Sequence, residues 1–117
     1  MNRKDIGDQA EAAAARLLEG KGLRIVEKNF RCKTGEIDLI AEDGEALVFV
    51  EVRSRASSGF GAAAETIGPA KRRKIVKTAQ FYLQSRGLGE RAARFDVVAF
   101  DGGRAEHIPG AFSADGF

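Results

Sequence analysis

The sequence predicts an α/β fold in which a central mixed β-sheet is flanked by helices. Three observations carry this expectation. A helical stretch is followed by three β-rich runs, a second helical stretch and one or two more strands. That order lets one helix cover each face of a single sheet. The third β-rich run is apolar on both faces over most of its length, which puts it in the sheet interior.

The first helix is expected over residues 5–19, where Ile6, Ala10, Ala13, Ala14, Leu17 and Leu18 recur at helical spacing. The alanines favour helix and let it lie close to a sheet. Gly20 and Gly22 supply the stop. Glu11 sits at the edge of the apolar stripe, not on the opposite polar face. Residues 23–31 follow as a strand with Ile25, Val26 and Phe30 as its apolar content. In GEIDLIAEDGEALVFVEVRSR, residues 35–55, two β-rich runs flank Asp43-Gly44, a hairpin signal. The expected antiparallel strands are 36–41 and 46–54.

Residues 57–68 are glycine-rich and read as a loop. Pro69 then opens a second helix running to about 86, with Ile75, Val76, Ala79, Tyr82 and Leu83 as its apolar stripe and Gly87 as its stop. Residues 95–100 read as a strand and 105–108 as a short last one, while 109–117 carry weak signals. No repeat, linker or second domain is visible, so residues 1–117 are expected to form one domain.

At 117 residues, 44% hydrophobic and 31% charged, the composition is that of an ordinary globular chain. The lone Cys32 excludes an intramolecular disulfide and has no obvious base beside it. The N-terminal residues lack the apolar core of a signal peptide, and no stretch is apolar enough for a membrane span. The expectation is a cytoplasmic protein with no membrane partner. A net charge of +2 says little, but its distribution says more. From 68 to 94, Lys71, Arg72, Arg73, Lys74, Lys77, Arg86, Arg91 and Arg94 face only Glu90. Segregated positive charge suits a phosphate-binding surface, and it equally suits a solvated helix face.

Side chains alternate along a strand. Glu36, Asp38 and Ile40 are therefore expected on one face of their strand, and Leu47, Phe49, Glu51 and Arg53 on one face of theirs. Glu51 falls where a carboxylate is costly unless paired or bound to a cation. If Ala41 pairs with Ala46, Asp38 lies opposite Phe49 and diagonal to Glu51, about 7–8 Å away between backbones. Two carboxylates so placed can share one hard divalent cation, Mg²⁺ or Mn²⁺, with waters and phosphate oxygens completing its shell. Arg53 adds a fork that matches phosphate geometry. The same pattern allows a plain Glu51–Arg53 ion pair at a strand end, with Asp38 in solvent. His107, the sole histidine, reads as a structural hydrogen bonder rather than a ligand. The phenylalanines read as core, without a repeated stacking platform for single strands.

An ordered set of motifs goes further: G-x-x-x-E at Gly7 and Glu11, N-F-R at 29–31, G-E-I-D-L-I at 35–40 and V-F-V-E-V-R at 48–53. It continues through F-G at 60–61, K-R-R-K-I at 71–75, R-F-D-V at 94–97 and H-I-P-G-A-F at 107–112. Over nearly the whole chain the set resembles the YraN family of small bacterial proteins, within the PD-(D/E)xK nuclease superfamily and similar to archaeal Holliday-junction resolvases. The resemblance implies a restriction-endonuclease-like fold with an αβββαβ core. It implies a metal-dependent endonuclease acting on DNA, with branched or junction DNA as a substrate class and a homodimer as the working unit. Asp38 matches the superfamily's metal-binding Asp, and Glu51 the Glu of its ExK motif. Glu11 matches a helix-borne acid of resolvase-like members. Glu36 and Gln80 are candidates to support the site, and Arg72, Arg73, Lys74 and Lys77 to bind nucleic acid.

The departure is Arg53, where the superfamily motif prefers Lys. Arg stabilises phosphate charge but cannot readily shuttle a proton, because its pKa stays above about 12. Two rivals therefore stay open. One is a non-catalytic nucleic-acid-binding module that retains the nuclease fold. The other is an interaction protein whose basic face meets an acidic partner.

Overall fold

A computed structural model describes residues 3–55, 67–101 and 103–114. Most of the expected loop at 57–68, with its F-G motif, lies outside these. In chain order the elements are α1 (Arg3–Gly20), β1 (Arg24–Cys32), β2 (Gly35–Asp43), β3 (Ala46–Arg55), α2 (Pro69–Ser85), β4 (Ala93–Asp101) and β5 (Arg104–Phe112). The five strands form one sheet in the order β1-β2-β3-β4-β5. Consecutive strands pair antiparallel, except β3 and β4, which are parallel and have α2 between them in sequence. The result is an α/β fold with a mixed sheet and a helix on each face, consistent with a restriction-endonuclease-like architecture. No helix among the described residues is long and apolar enough to cross a membrane.

The expected central strand is central. Val48 and Val50 of β3 pack with Leu39, Ala41 and Val98 against Ala14, Ala15 and Leu18 of α1. The alanines at this contact keep α1 close to the sheet. Leu17, on the same expected stripe, is only half-buried, and Leu18 takes the fully buried place. On the other face Leu47 and Phe49 pack with Ile37, Ile40 and Phe95 against Ile75, Val76, Ala79 and Tyr82 of α2. The Tyr82 ring meets Phe49 and Phe30 edge-on at 5.9 and 5.0 Å. Such contacts add to area burial.

Thr78, which no apolar periodicity marks, is fully buried on this face. Its Oγ1 donates to the Lys74 carbonyl at 2.8 Å and lies 2.9 Å from Thr34 Oγ1. A Cβ at Gly35 would stand 3.2 Å from that same Oγ1, and Gly35 has φ +150°. The glycine that opens β2 thus gives α2 its close seat over the hairpin.

Two expectations need correcting. The β2–β3 register is Asp43↔Ala46, Ala41↔Val48 and Leu39↔Val50, not Ala41 with Ala46. The loop is the two residues Gly44-Glu45, and Gly44 takes φ +60° as the first central position of a type II′ turn requires. Arginines distant in sequence hold the tip in this register: Arg91 donates to Glu42 at 2.6 Å and to the Glu45 carbonyl at 2.8 Å, and Arg94 to Asp43 at 2.8 Å. The last strand is also longer than residues 105–108. It continues through Pro109-Gly110 to Phe112, whose ring stacks on Phe95 at 5.0 Å. Gly110, at φ +60°, donates its N–H to Asp96 Oδ1 at 3.0 Å.

Candidate functional site

The acidic residues gather where the sheet ladder gives out. Strands β2 and β3 are paired as far as Leu39↔Val50. One step beyond, the register carries Asp38 to Glu51, so the two acids face each other directly instead of diagonally. The Asp38 carboxylate also takes part in the sheet: its Oδ2 accepts the Val52 backbone N–H at 2.8 Å. Ile37 belongs to the α2-side core and Leu39 to the α1-side core, although residues two apart on a regular strand share a face. The chain therefore changes face around Asp38. Opposite this point on β1, between the Lys28↔Leu39 and Phe30↔Ile37 pairs, Asn29 has φ +53°. Because of this irregularity Glu36, Asp38 and Ile40 do not share one face as the plain alternation anticipates.

Glu51 is buried on the α2 side of β3, with only 6% of its side chain exposed. It has two partners. One is Asp38, whose carboxyl is pushed up to about 8, first by burial and then by the hydrogen bond and the negative charge of Glu51. Burial beside Glu51 thus favours the protonated carboxyl at Asp38. The other partner is Lys71 of α2, with Nζ 3.3 Å from Glu51 Oε2. Arg53 follows on the same strand, half-buried.

Glu11 stands on α1, on the other side of the sheet, within electrostatic range of Asp38. Its carboxyl is raised by burial and then by the Asp38 charge, against a hydrogen bond from Asn29. It lines an open cleft of about 520 Å³ with Gly7, Asp8, Asn29, Arg31 and Glu36. Glu36 lines this cleft beside Glu11, and Arg31 pairs with it at 3.3 Å.

The donor set suits a hard cation. Asp38 and Glu51 offer carboxylate oxygens, and the Lys71 ammonium beside Glu51 already supplies this buried position with positive charge. Among the described residues no three Asp, Glu, His or Cys side chains cage an ion. Mg²⁺ does not need a cage, since one or two carboxylates with water and phosphate oxygens suffice.

Other expected residues lie elsewhere. Gln80 lines an apolar groove of about 630 Å³ between α2 and the β4–β5 edge, beside Leu83, Phe95 and Phe112. Arg72 does not join the outward basic face; it is half-buried, and its guanidinium lies 5.7 Å from the Phe112 ring centre. Arg73, Lys74 and Lys77 are exposed. Lys71 was missed as a site residue because a lysine beside an apolar stripe usually packs only its stem. The available signal was its place in the first turn of α2, just ahead of Ile75. His107 Nε2 donates at 2.7 Å to the fully buried Asp96, which also accepts from Arg94 and the Gly110 N–H. The R-F-D-V and H-I-P-G motifs therefore meet each other, away from the acidic centre.

The model of the family described as "Uncharacterised protein family UPF0102" matches residues 10–100, which include Glu11, Asp38, Glu51, Arg53 and Lys71. The chain belongs to the UPF0102 family. This is the YraN family that the ordered motifs resemble. A UPF0102 protein of Dechloromonas aromatica is 55% identical over 109 residues, covering 93% of this chain and 89% of that one. A UPF0102 protein of Alkalilimnicola ehrlichii is 49% identical over 113 residues, covering 96% and 90%. One of Moorella thermoacetica is 48% identical over 110 residues, covering 94% and 92%. This UPF0102 chain aligns with each of these three relatives over about nine-tenths of the relative's length.

Proposed function

We propose that this UPF0102 protein is a metal-dependent endonuclease that hydrolyses phosphodiester bonds in DNA, with branched or junction DNA as its substrate. The observation that carries the reading is the convergence of Asp38 and Glu51, two carboxyls facing each other inside the sheet, just past the last β2–β3 backbone pair. Such a pair is costly to bury for structure alone. The half-cleft around Glu11 and the exposed Arg73, Lys74 and Lys77 support it as surfaces for the substrate.

Asp38 and Glu51 would hold Mg²⁺ or Mn²⁺, with Glu11 acting from the cleft side through water and not as a third direct ligand. That ion would polarise the scissile phosphate and acidify a bound water. The residues' own tasks follow from their positions. Asp38 and Glu51 would supply the carboxylate oxygens that hold the ion. The Asp38 bond to the Val52 N–H fixes the carboxylate plane in advance. Glu11, on the cleft side, accepts a hydrogen bond from the attacking water. Arg53, two residues after Glu51, balances the charge that grows on the phosphate and leaves proton transfer to others. A homodimer would present two such sites to the two symmetric strands of a junction.

Arg53 also supports the second reading, a nucleic-acid-binding module that keeps the nuclease fold. One experiment separates the two. Highly purified protein is offered junction, flap, single-stranded and linear duplex DNA with Mg²⁺ or Mn²⁺, beside Asp38→Asn. Cleavage of branched DNA by the wild type and none by the variant supports the enzyme. Binding without cleavage on every substrate, with cleavage appearing only in Arg53→Lys, supports the module.

A further inference from the structure

Lys71 joins the interior of the site to its surface. Its Nζ lies 3.3 Å from Glu51 Oε2, and Glu51 is 6% exposed while Lys71 is 48% exposed. The ammonium is therefore held at the buried carboxylate by a flexible four-carbon stem rooted on an accessible face. On that helix Lys74 and Lys77 follow, both exposed. A lysine head is a compact charge with freely turning donors, so it can change partners without moving the backbone.

A divalent cation held by Asp38 and Glu51 would meet the Lys71 ammonium as a like charge, because Nζ already lies 3.3 Å from Glu51 Oε2. Two cations cannot share that buried carboxylate at low cost, and the ammonium is the one on a flexible stem with an accessible face to retreat to.

We propose that Lys71 is the resident counter-ion of the Asp38–Glu51 pair, that a divalent cation displaces its ammonium from Glu51, and that the released ammonium then pairs with a DNA phosphate. The proposal rests on the nuclease reading and adds a coupling between ion loading and DNA binding. Lys71 opposes the ion when DNA is absent and favours DNA once the ion is present. Such coupling is reciprocal: DNA that engages Lys71 tightens ion binding by the same factor.

The test uses the full chain and Lys71→Met. Calorimetry with Mn²⁺ alone reads the first half. The variant should bind Mn²⁺ about fivefold or more tightly than the wild type when DNA is absent. DNA binding over a range of salt, in EDTA and in Ca²⁺, reads the second half. Ca²⁺ should steepen the wild-type salt slope by about 0.9 more than it steepens the variant's, the value of one phosphate contact. Lys71→Gln can still hydrogen-bond Glu51 and serves if the Met variant does not fold. Equal or weaker Mn²⁺ affinity in a folded variant overturns the proposal and leaves the nuclease reading standing. Mn²⁺ binding by neither protein, with DNA present or absent, removes both.

Discussion

The backbone N–H of Val52 donates to Asp38 Oδ2 at 2.8 Å, so a side chain takes over where the backbone ladder between β2 and β3 stops at Leu39↔Val50. The carboxylate is thereby held at the seam of the sheet. From there it meets Glu51 on the α2 side and is felt by Glu11 on the α1 side. A regular strand could not serve both faces from one position.

The first prediction concerns pH. The Asp38 carboxyl lies at about 8 in the folded chain and near its ordinary value, about 4, in the unfolded one. Between these values the folded state binds the extra proton. Its stabilising effect is full below about 4 and is lost as pH rises through about 8. Without divalent ions, stability should fall across this window by up to about 1.4 kcal/mol per pH unit. Asp38→Asn, which keeps an oxygen for the Val52 N–H, should flatten the fall. Urea unfolding at pH 5 and pH 8.5 in EDTA measures it. Equal slopes in wild type and variant would count against a raised Asp38 carboxyl.

Arg53 is tested through cleavage. An electrostatic role tolerates Lys, so Arg53→Lys should keep or raise the rate on a junction substrate. Arg53→Ala should lose about a hundredfold or more, as when a preorganised charge-stabilising donor is removed. Single-turnover rates with Mg²⁺ settle it. An Ala variant that cuts as fast as the wild type excludes Arg53 from the chemistry.

The basic helix should divide into two groups. Replacing Arg73, Lys74 and Lys77 together by Ala should weaken DNA binding and lower its salt slope by up to about 0.9 per lost phosphate contact. Arg72→Ala should leave the slope alone and lower stability by about 1 kcal/mol, because Arg72 lies over Phe112. Titrations at several salt concentrations, with thermal melts, separate them. A slope that changes only with Arg72 would reverse the assignment.

Asp96 is expected to matter for stability and not for DNA. It is fully buried and bonded to Arg94, His107 and the Gly110 N–H. Asp96→Ala strands these partners and should cost about 3–5 kcal/mol in urea unfolding. DNA affinity of the folded variant should stay within about twofold. An unchanged unfolding midpoint would show that the network contributes little.

Much of the molecule is legible in the residues taken in order. Two apolar faces on 46–54 mark β3 as central, since only a strand covered on both sides repays that composition. Helical spacing in α1 and α2 and the Asp43-Gly44 signal place the helices and the hairpin. The buried acid at 51 and its neighbour Arg53 stand out for the same reason: charge is out of place on an apolar face. The chain's ordered motifs are enough for its family, UPF0102, which the match over residues 10–100 shows.

What needed tertiary structure was every relation set by partners far apart in sequence. The hairpin register depends on Arg91 and Arg94, some fifty residues away, gripping Glu42, Asp43 and the Glu45 carbonyl. A loop of two or of four residues reads alike in sequence until those contacts choose. The length of β5 depends on Asp96 and Phe95, which hold Gly110 and Phe112 past a Pro-Gly pair that looks like an end. The lysine on Glu51 and the turning-in of Arg72 depend on where α2 sits over the sheet, which Thr78 and Gly35 decide. Hydrophobic periodicity reports which face of an element is buried. It does not report which charged side chain at the rim of that face finds a partner, because that partner belongs to another element.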